Sequence, residues 1–540
     1  MIARKSFLIV SSQFFARFLG WVGLFILAKL WGDHAPVALG YIGFAMAFLT
    51  LFHLIAKFGF LEAHVKRISE GKDLGTCIGT YAAIKILFTG IMILTVFIAI
   101  FLLEILFHEQ FLDEASKSII YIFLIYYVFL NLKEIPMQTF SGTKEIVKRQ
   151  ITWVTENIIK IPLTILVALA GVSAIGITPI VVWPQSLQSL QQFLADHPTG
   201  SLAMTYVFGG VASFLVGMWL LRKYPLKKPS WKLSKSYFSF GIPITIISLI
   251  VVISINVDKV MIGFFWTQAE VGYYYTVQQL SEVTVILSTA LGIVLFPTLS
   301  EYHTANNFKG LIKTTHQAER YISMVTIPIT VLIIIFAEPI IYFMLSGAFK
   351  PAILVLRIIA IYAFILGVMK PYSSLIAGMN KPYVAAKIGI TMCTVNIALN
   401  YLFIPKGGIL SPFQMDGAAG AAIATLISML VGLFGFQLAA KKTINMKILQ
   451  RHIPLHIIAG VCMGILLYFT SQLLTPSVYW YHLLGYVGIG ITIYFGMMFI
   501  LKEFKKQDFD FFCNIIHPKK MMKYIKSEMN GKTEDKKKDK

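Results

Sequence analysis

The chain has 540 residues, 57% of them hydrophobic and 14% charged, with a mean hydropathy of +0.74 and a formal net charge of +21. A composition this apolar at this length excludes a soluble globular protein. The charge does not mark a nucleic-acid binder, because Lys and Arg gather in alternate loops and in the C-terminal stretch.

In chain order, Arg4 and Lys5 precede a first apolar stretch at 7–31 that is too long for a signal-peptide core. No small-residue cleavage site precedes the second stretch, so an uncleaved first helix is expected. Further apolar stretches follow at 38–60, 77–106, 117–135, 151–172, 201–221, 237–265, 270–298, 318–345, 352–376, 383–404, 417–440, 453–474 and 479–501. Each is near the roughly 20 residues that a helix needs to cross a bilayer. The expected fold is therefore an all-α integral membrane protein with about 14 transmembrane helices.

The basic connections are Lys66/Arg67/Lys72, Lys144/Lys148/Arg149, Arg222 to Lys235, Lys309/Lys313/Arg320, Lys381/Lys387, Lys441 to Arg451 and the tail. The intervening loops carry almost none, and 173–200 has no Lys or Arg. By the positive-inside rule both termini are expected in the cytoplasm and the protein in the plasma membrane. Cys77, Cys393, Cys462 and Cys513 lie in spans or on the cytoplasmic side, without disulfide or zinc spacing. The tail from 502 to 540 is read as a solvated, partly disordered basic segment, with attraction to anionic headgroups the less favoured alternative.

Two halves overlay at an offset near 236 residues. Trp31 with Gly40-Tyr41 corresponds to Trp266 with Gly272-Tyr273, Phe60 to Phe296, and Ser141-Gly142 to Ala377-Gly378. Parallel repeats of this kind build two lobes around a cavity. The expected organisation is a six-helix lobe at 1–221, a basic linker at 222–236, a second six-helix lobe at 237–442, two added helices at 443–501, and the tail. The glycines at 40 and 272 are expected in hairpin turns, and the small residues Gly417 to Ala424 in tight helix packing.

Polar groups inside the spans are costly and therefore informative, a mid-bilayer charge costing about 3 kcal/mol on insertion scales. Arg17 lies mid-span with Gln13 one turn earlier; Lys85 lies in the third span. Glu156 and Lys160 stand four apart and are most simply a self-neutralising pair. Ser254 with Asp258, and Gln278 with Glu282, share helix faces; Arg357 is near the outer end of its span. Lys29, Lys57 and Lys259 sit near span ends, where snorkelling is the simpler reading. His53 and His64 are read as interfacial or loop residues.

Several segments carry a family resemblance. Asn256-Val-Asp-Lys-Val-Met-Ile-Gly263 with Val271-Gly-Tyr-Tyr-Tyr275, Phe296-Pro297, Ala377-Gly-Met-Asn-Lys-Pro382, Asn396-Ile-Ala-Leu-Asn400 and Gly417 to Thr425 are the segments concerned. Together they resemble the polysaccharide flippases of the multidrug/oligosaccharidyl-lipid/polysaccharide exporter superfamily. The resemblance implies movement of a polyprenyl-linked oligosaccharide from the cytoplasmic to the outer leaflet. It implies no cofactor, coupling to H⁺ or Na⁺, membrane lipids and glycan assembly enzymes as partners, and a monomer. Drug-exporting relatives usually have twelve spans, so about fourteen favours the flippase branches, among which the lipid II type competes.

On that reading Arg17, Lys85, Lys160 and Arg357 would meet the substrate, the cations compensating its phosphate. Gln13, Asn256, Gln278, Gln279 and Tyr273 to Tyr275 would meet the sugar, and Asp258, Glu282 and Glu156 would couple an ion. A phosphate-cradling loop, a His-Glu-x-x-His and a Cys-x-x-Cys are absent from the sequence. A membrane glycosyltransferase would need clustered acids and a large outer domain, and the sequence has neither. A drug:cation antiporter would want acidic cavity walls, whereas the mid-span excess here is basic.

Overall fold

A computed structural model describes residues 2–107, 113–172, 183–447, 452–474, 480–504 and 508, without the side chains of 2–13, 107, 242–244, 246–248, 251, 282–294, 296–297, 473–474 and 480. The first six helices are α1 Ile2–Trp31, α2 Ala35–Lys57, α3 Phe60–Ser69, α4 Leu74–Phe107, α5 Glu114–Gly142 and α6 Ile146–Gly171. The next are α7 Gln188–Asp196, α8 Pro198–Leu221, α9 Trp231–Phe265, α10 Gln268–Thr304, α11 Phe308–Ile335 and α12 Ala337–Met344. The last are α13 Ala352–Gly378, α14 Pro382–Phe403, α15 Gly417–Ile444, α16 His452–Leu474 and α17 Trp480–Ile500. No strand occurs among the described residues. In lipid the backbone has only itself to bond to, and helices satisfy it within each segment.

Fourteen of these helices have 21 residues or more. Among the described residues, 11 stretches are long and apolar enough to cross a membrane, with Phe14–Ser69 counted as one. The protein is a multi-pass membrane protein. Its basic tail lies almost entirely outside the described residues.

Two packing groups meet along α2 and α10. At the end away from the basic loops, a Cβ on Gly40 would lie 1.7 Å from the Gln268 carbonyl oxygen, and one on Gly272 would lie 1.9 Å from that of Pro36. Both glycines sit inside helices, not in the hairpin turns the sequence suggests. They are glycines because two backbones cross there in contact. The contact is also reciprocal: residues 36 and 40 meet their repeat counterparts, 268 and 272.

At the basic end α2 breaks. Phe58 and Gly59 adopt left-handed φ values of 32° and 60°, and the chain continues as the short amphipathic α3. A Cβ on Gly59 would lie 2.3 Å from the Gly241 carbonyl oxygen of α9, so the halves touch here as well. His64 of α3 bonds Tyr237 at 2.8 Å and Thr139 at 3.0 Å and stacks on Tyr81. It is buried, as is His53, which bonds Asn131 at 2.8 Å. Neither histidine is the interfacial residue expected from its position in the sequence. The counterpart of this break does not form: α10 runs through Pro297 to Thr304, beyond the expected span end at 298.

The small-residue face of α15 is buried as expected, and a Cβ on Gly420 would lie 2.3 Å from the Phe403 carbonyl oxygen of α14. Pro382 opens α14 in its first turn, where its missing N–H costs nothing. The added helices α16 and α17 pack against α11.

Candidate functional site

Two cavities lie side by side where α1, α2, α6, α9 and α10 converge. The first, about 200 Å³, is lined by Arg17 and Trp21 of α1, Lys160 and Thr164 of α6, Tyr206 of α8, and Tyr275 and Gln279 of α10. The Lys160 ammonium lies 4.6 Å from the centre of the Tyr206 ring. A cation over an aromatic face in a partly desolvated site gains on the order of 1–2 kcal/mol. The indole N–H of Trp21 donates to the Gln279 carbonyl at 3.1 Å and so ties α1 to α10. The chamber presents two cations, amide groups and aromatic faces, which suits a phosphate attached to a polar group.

The second cavity, about 360 Å³, is lined by Asn256, Asp258 and Lys259 of α9, Tyr274 and Gln278 of α10, Asn396 of α14 and Thr425 of α15, among others. Tyr275 and Gln279 line both chambers. Asp258 is buried and holds three neutral donors. Asn400 Nδ2 reaches Oδ1 at 2.6 Å, while the Tyr274 hydroxyl at 2.6 Å and Thr425 Oγ1 at 2.7 Å reach Oδ2. Asn396 Nδ2 donates to Thr425 Oγ1 at 3.1 Å. Asn400 Oδ1 is buried with no hydrogen-bond partner among the described residues. Asp258, Asn396 and Thr425 line this chamber with carboxylate, amide and hydroxyl oxygens, and Asn400 braces them from behind, its Nδ2 also reaching Asn396 Oδ1 at 3.3 Å. This set fits a hard cation of the alkali kind and does not suit a soft transition metal. No group of three His, Cys, Asp or Glu among the described residues fits a metal ion.

The comparisons with known proteins agree with this architecture. Residues 189–354 match a family described as polysaccharide biosynthesis protein. The probable low-salt glycan biosynthesis flippase Agl15 of Haloferax volcanii is 22% identical over 440 residues, which is 80% of this chain and 81% of that one. The probable flippase AglR of the same organism is 26% identical over 179 residues, 32% of this chain and 35% of that one. Among solved structures, the lipid II flippase MurJ in an inward closed conformation superposes with a TM-score of 0.66 at 18% identity, covering 91% of this chain and 98% of that one. An inward-facing multidrug resistance MATE transporter gives 0.62 at 15% identity, covering 80% and 94%. The chain thus resembles glycan biosynthesis flippases in sequence and shares its fold with MurJ and MATE transporters.

Within this fold the residues singled out from sequence fall into three groups. Arg17, Lys160 and Gln279 line the first chamber, and Asn256, Asp258, Gln278, Tyr274 and Ser254 the second. The side chains of Gln13 and Glu282 lie outside the described ones. The rest are elsewhere. Lys85 is fully buried, donating to Glu134 Oε2 at 2.5 Å and the Ala56 carbonyl at 3.1 Å, and it lines neither chamber. Its partner comes from the next span, 49 residues on, where helical spacing gives no hint of it. Glu156 is taken by Lys133 and by the Tyr126 hydroxyl instead of Lys160, which leaves Lys160 to the cavity. Arg357 caps the end of α11 through the Ile334 carbonyl at 3.2 Å. Tyr273 packs on Phe349.

Lys259 is buried and donates to Gln278 Oε1 at 2.7 Å and the Ile255 carbonyl at 3.0 Å, so it does not snorkel. Lys29 and Lys57 are exposed. Asn396, Asn400 and Thr425 entered the sequence reading only as family landmarks. Their signal was present: two asparagines four apart in an apolar span put two amides on one helix face.

Proposed function

We propose that this protein turns a polyprenyl phosphate- or diphosphate-linked oligosaccharide from the cytoplasmic to the outer leaflet by alternating access, and that a cation at Asp258 couples the cycle. The supporting observation is the pair of chambers sharing Tyr275 and Gln279. One offers Arg17 and Lys160 to an anionic headgroup. The other offers an oxygen cage to a cation. Glycan biosynthesis flippases among the sequence relatives favour a sugar-bearing lipid.

The roles follow from position. Arg17 and Lys160 neutralise the phosphate as it leaves water. Gln279 and Tyr275 stand at the shared wall, so headgroup and cation sense each other through the same α10 residues. A cation binding the Asp258 cage draws α9, α14 and α15 together. A state that binds it better is populated at the expense of the other, by no more than that difference in affinity. Coupling to Na⁺ and coupling to H⁺ are told apart by experiment.

The test is translocation of a labelled polyprenyl-diphosphate sugar in proteoliposomes under imposed Na⁺ or pH gradients. Arg17→Ala should lower the rate about tenfold, the equivalent of roughly 1.4 kcal/mol, and Asp258→Asn should make the residual rate independent of both gradients. Absence of translocation by the folded wild type under every gradient would overturn the reading. Gradient-driven efflux of an organic cation instead would favour the antiporter.

A further inference from the structure

A third cavity, about 770 Å³, lies under α7 between α5, α6 and α8, on the opposite side of the α6–α8 pair from the Arg17 chamber. Its polarity is graded. The end nearest the α7–α8 junction carries Ser118, His197, Thr199 and Ser201. The end toward the middle of the spans carries Ile122, Leu163, Met204 and Phe208. Phe193 of α7 and Phe208 of α8 line it and are both more than half exposed. Ser201 is buried, 6% exposed, and its hydroxyl has no hydrogen-bond partner among the described residues. An orphaned buried hydroxyl in a mostly apolar cavity is costly unless something brings it an acceptor.

We propose that this cavity holds one hydrocarbon chain of a resident bilayer lipid, with an ester or ether oxygen near its polar end accepting from Ser201. The graded lining matches a lipid of the leaflet away from the basic loops, polar end outward and chain toward the midplane. The occupant is not the tail of a substrate held in the Arg17 chamber, because the wall between them is closed. Adjacent residues on the same helices face opposite chambers: Leu163 and Thr164, Ser201 and Leu202, Thr205 and Tyr206. The Thr164 and Thr205 hydroxyls bond across the seam at 3.2 Å. Further along, a Cβ on Gly209 would lie 2.8 Å from the Glu156 carbonyl oxygen, leaving no room for a chain to pass. This inference stands independently of the transport reading.

The experiment is photolabelling of the full-length protein in liposomes, followed by peptide mapping. One probe is a phospholipid with a diazirine in its acyl chain; the other is a polyprenyl phosphate with the same group in its tail. The phospholipid should label residues 118–122, 163–167 and 201–208 at least fivefold above the exposed face of α17, and above the polyprenyl probe. Met204→Trp and Leu166→Trp, which fill the space from two helices, should each reduce that labelling to the level of α17. Wild-type labelling at that level would overturn the proposal without recourse to a variant, as would polyprenyl labelling equal to or above that of the phospholipid. Labelling that survives both tryptophans in folded protein would also overturn it.

Discussion

In the N-terminal half, Lys85 meets Glu134 and Lys133 meets Glu156, each a buried pair drawn from two different spans. In the C-terminal half, Asp258 is held by an asparagine, a tyrosine and a threonine. The first arrangement cancels charge before any ligand arrives, so Arg17 and Lys160 are what that half turns toward its chamber. The second surrounds a carboxylate with neutral donors at the wall of a cavity. Glu134 and Glu156 are thus answered by lysines, whereas Asp258 is answered by neutral donors at a cavity wall.

The comparison breaks most visibly if the lysine pairs prove dispensable. Lys85→Met should destabilise the protein by about 3–5 kcal/mol, because it strands Glu134 in a dry interior. Adding Glu134→Leu should recover most of that loss, since an apolar pair of similar volume avoids the burial cost. Thermal unfolding in detergent, followed by tryptophan fluorescence, reads both. A single mutant as stable as wild type would mean that water reaches the pair.

The Asp258 cage makes the next largest claim. A cation bound at a hundred times its dissociation constant stabilises the folded state by about 2.7 kcal/mol. Wild type should gain that margin in Na⁺ relative to choline, and Asp258→Asn or Asn400→Ala should lose it. Equal Na⁺ shifts in wild type and Asp258→Asn would remove the cage as an ion site.

Lys160→Met tests the other chamber. It should weaken binding of a polyprenyl diphosphate about tenfold, or roughly 1.4 kcal/mol, without changing the Na⁺ shift. A change in both would mean that the chambers are one site.

The smallest effect lies at the surface. Asp73, between α3 and α4, bonds Lys227 at 2.8 Å and caps α4 through Thr76. Those hydrogen bonds from Lys227 and Thr76 hold its carboxyl below the usual range. A depressed carboxyl stabilises above its unfolded value, near pH 4, and that stability is lost as pH falls through the acid range. The small difference between wild type and Asp73→Asn should therefore be present at pH 7 and shrink below pH 4. A difference that grows in acid would contradict the sign.

The fold class was legible because a bilayer permits few solutions. Long apolar runs must be helices, and the matched pairs at Gly40 and Gly272 do correspond in space. Lys85 and Glu156 were misread for a common reason. The sequence shows which charges are buried and not which distant span answers them, so Lys133 and Glu134 went unremarked as partners. Asp258 was legible as a lone acid on α9, but its asparagine and threonine partners come from α14 and α15, over 130 residues away. The break at Phe58–Gly59 was hidden because an apolar run reads the same through a left-handed turn as through a helix.

The crossing of α2 over α10 resembles the seam of a symmetric dimer. Such an isologous contact presents the same patch on both sides, each residue meeting the other's counterpart. Two separate chains of half this length could close that face by the same two glycines. In one chain the contact is written twice, and its copies can diverge independently. A side chain introduced at Gly40 or at Gly272 would pry open the same seal from either half, so the two substitutions should share one phenotype despite lying 232 residues apart.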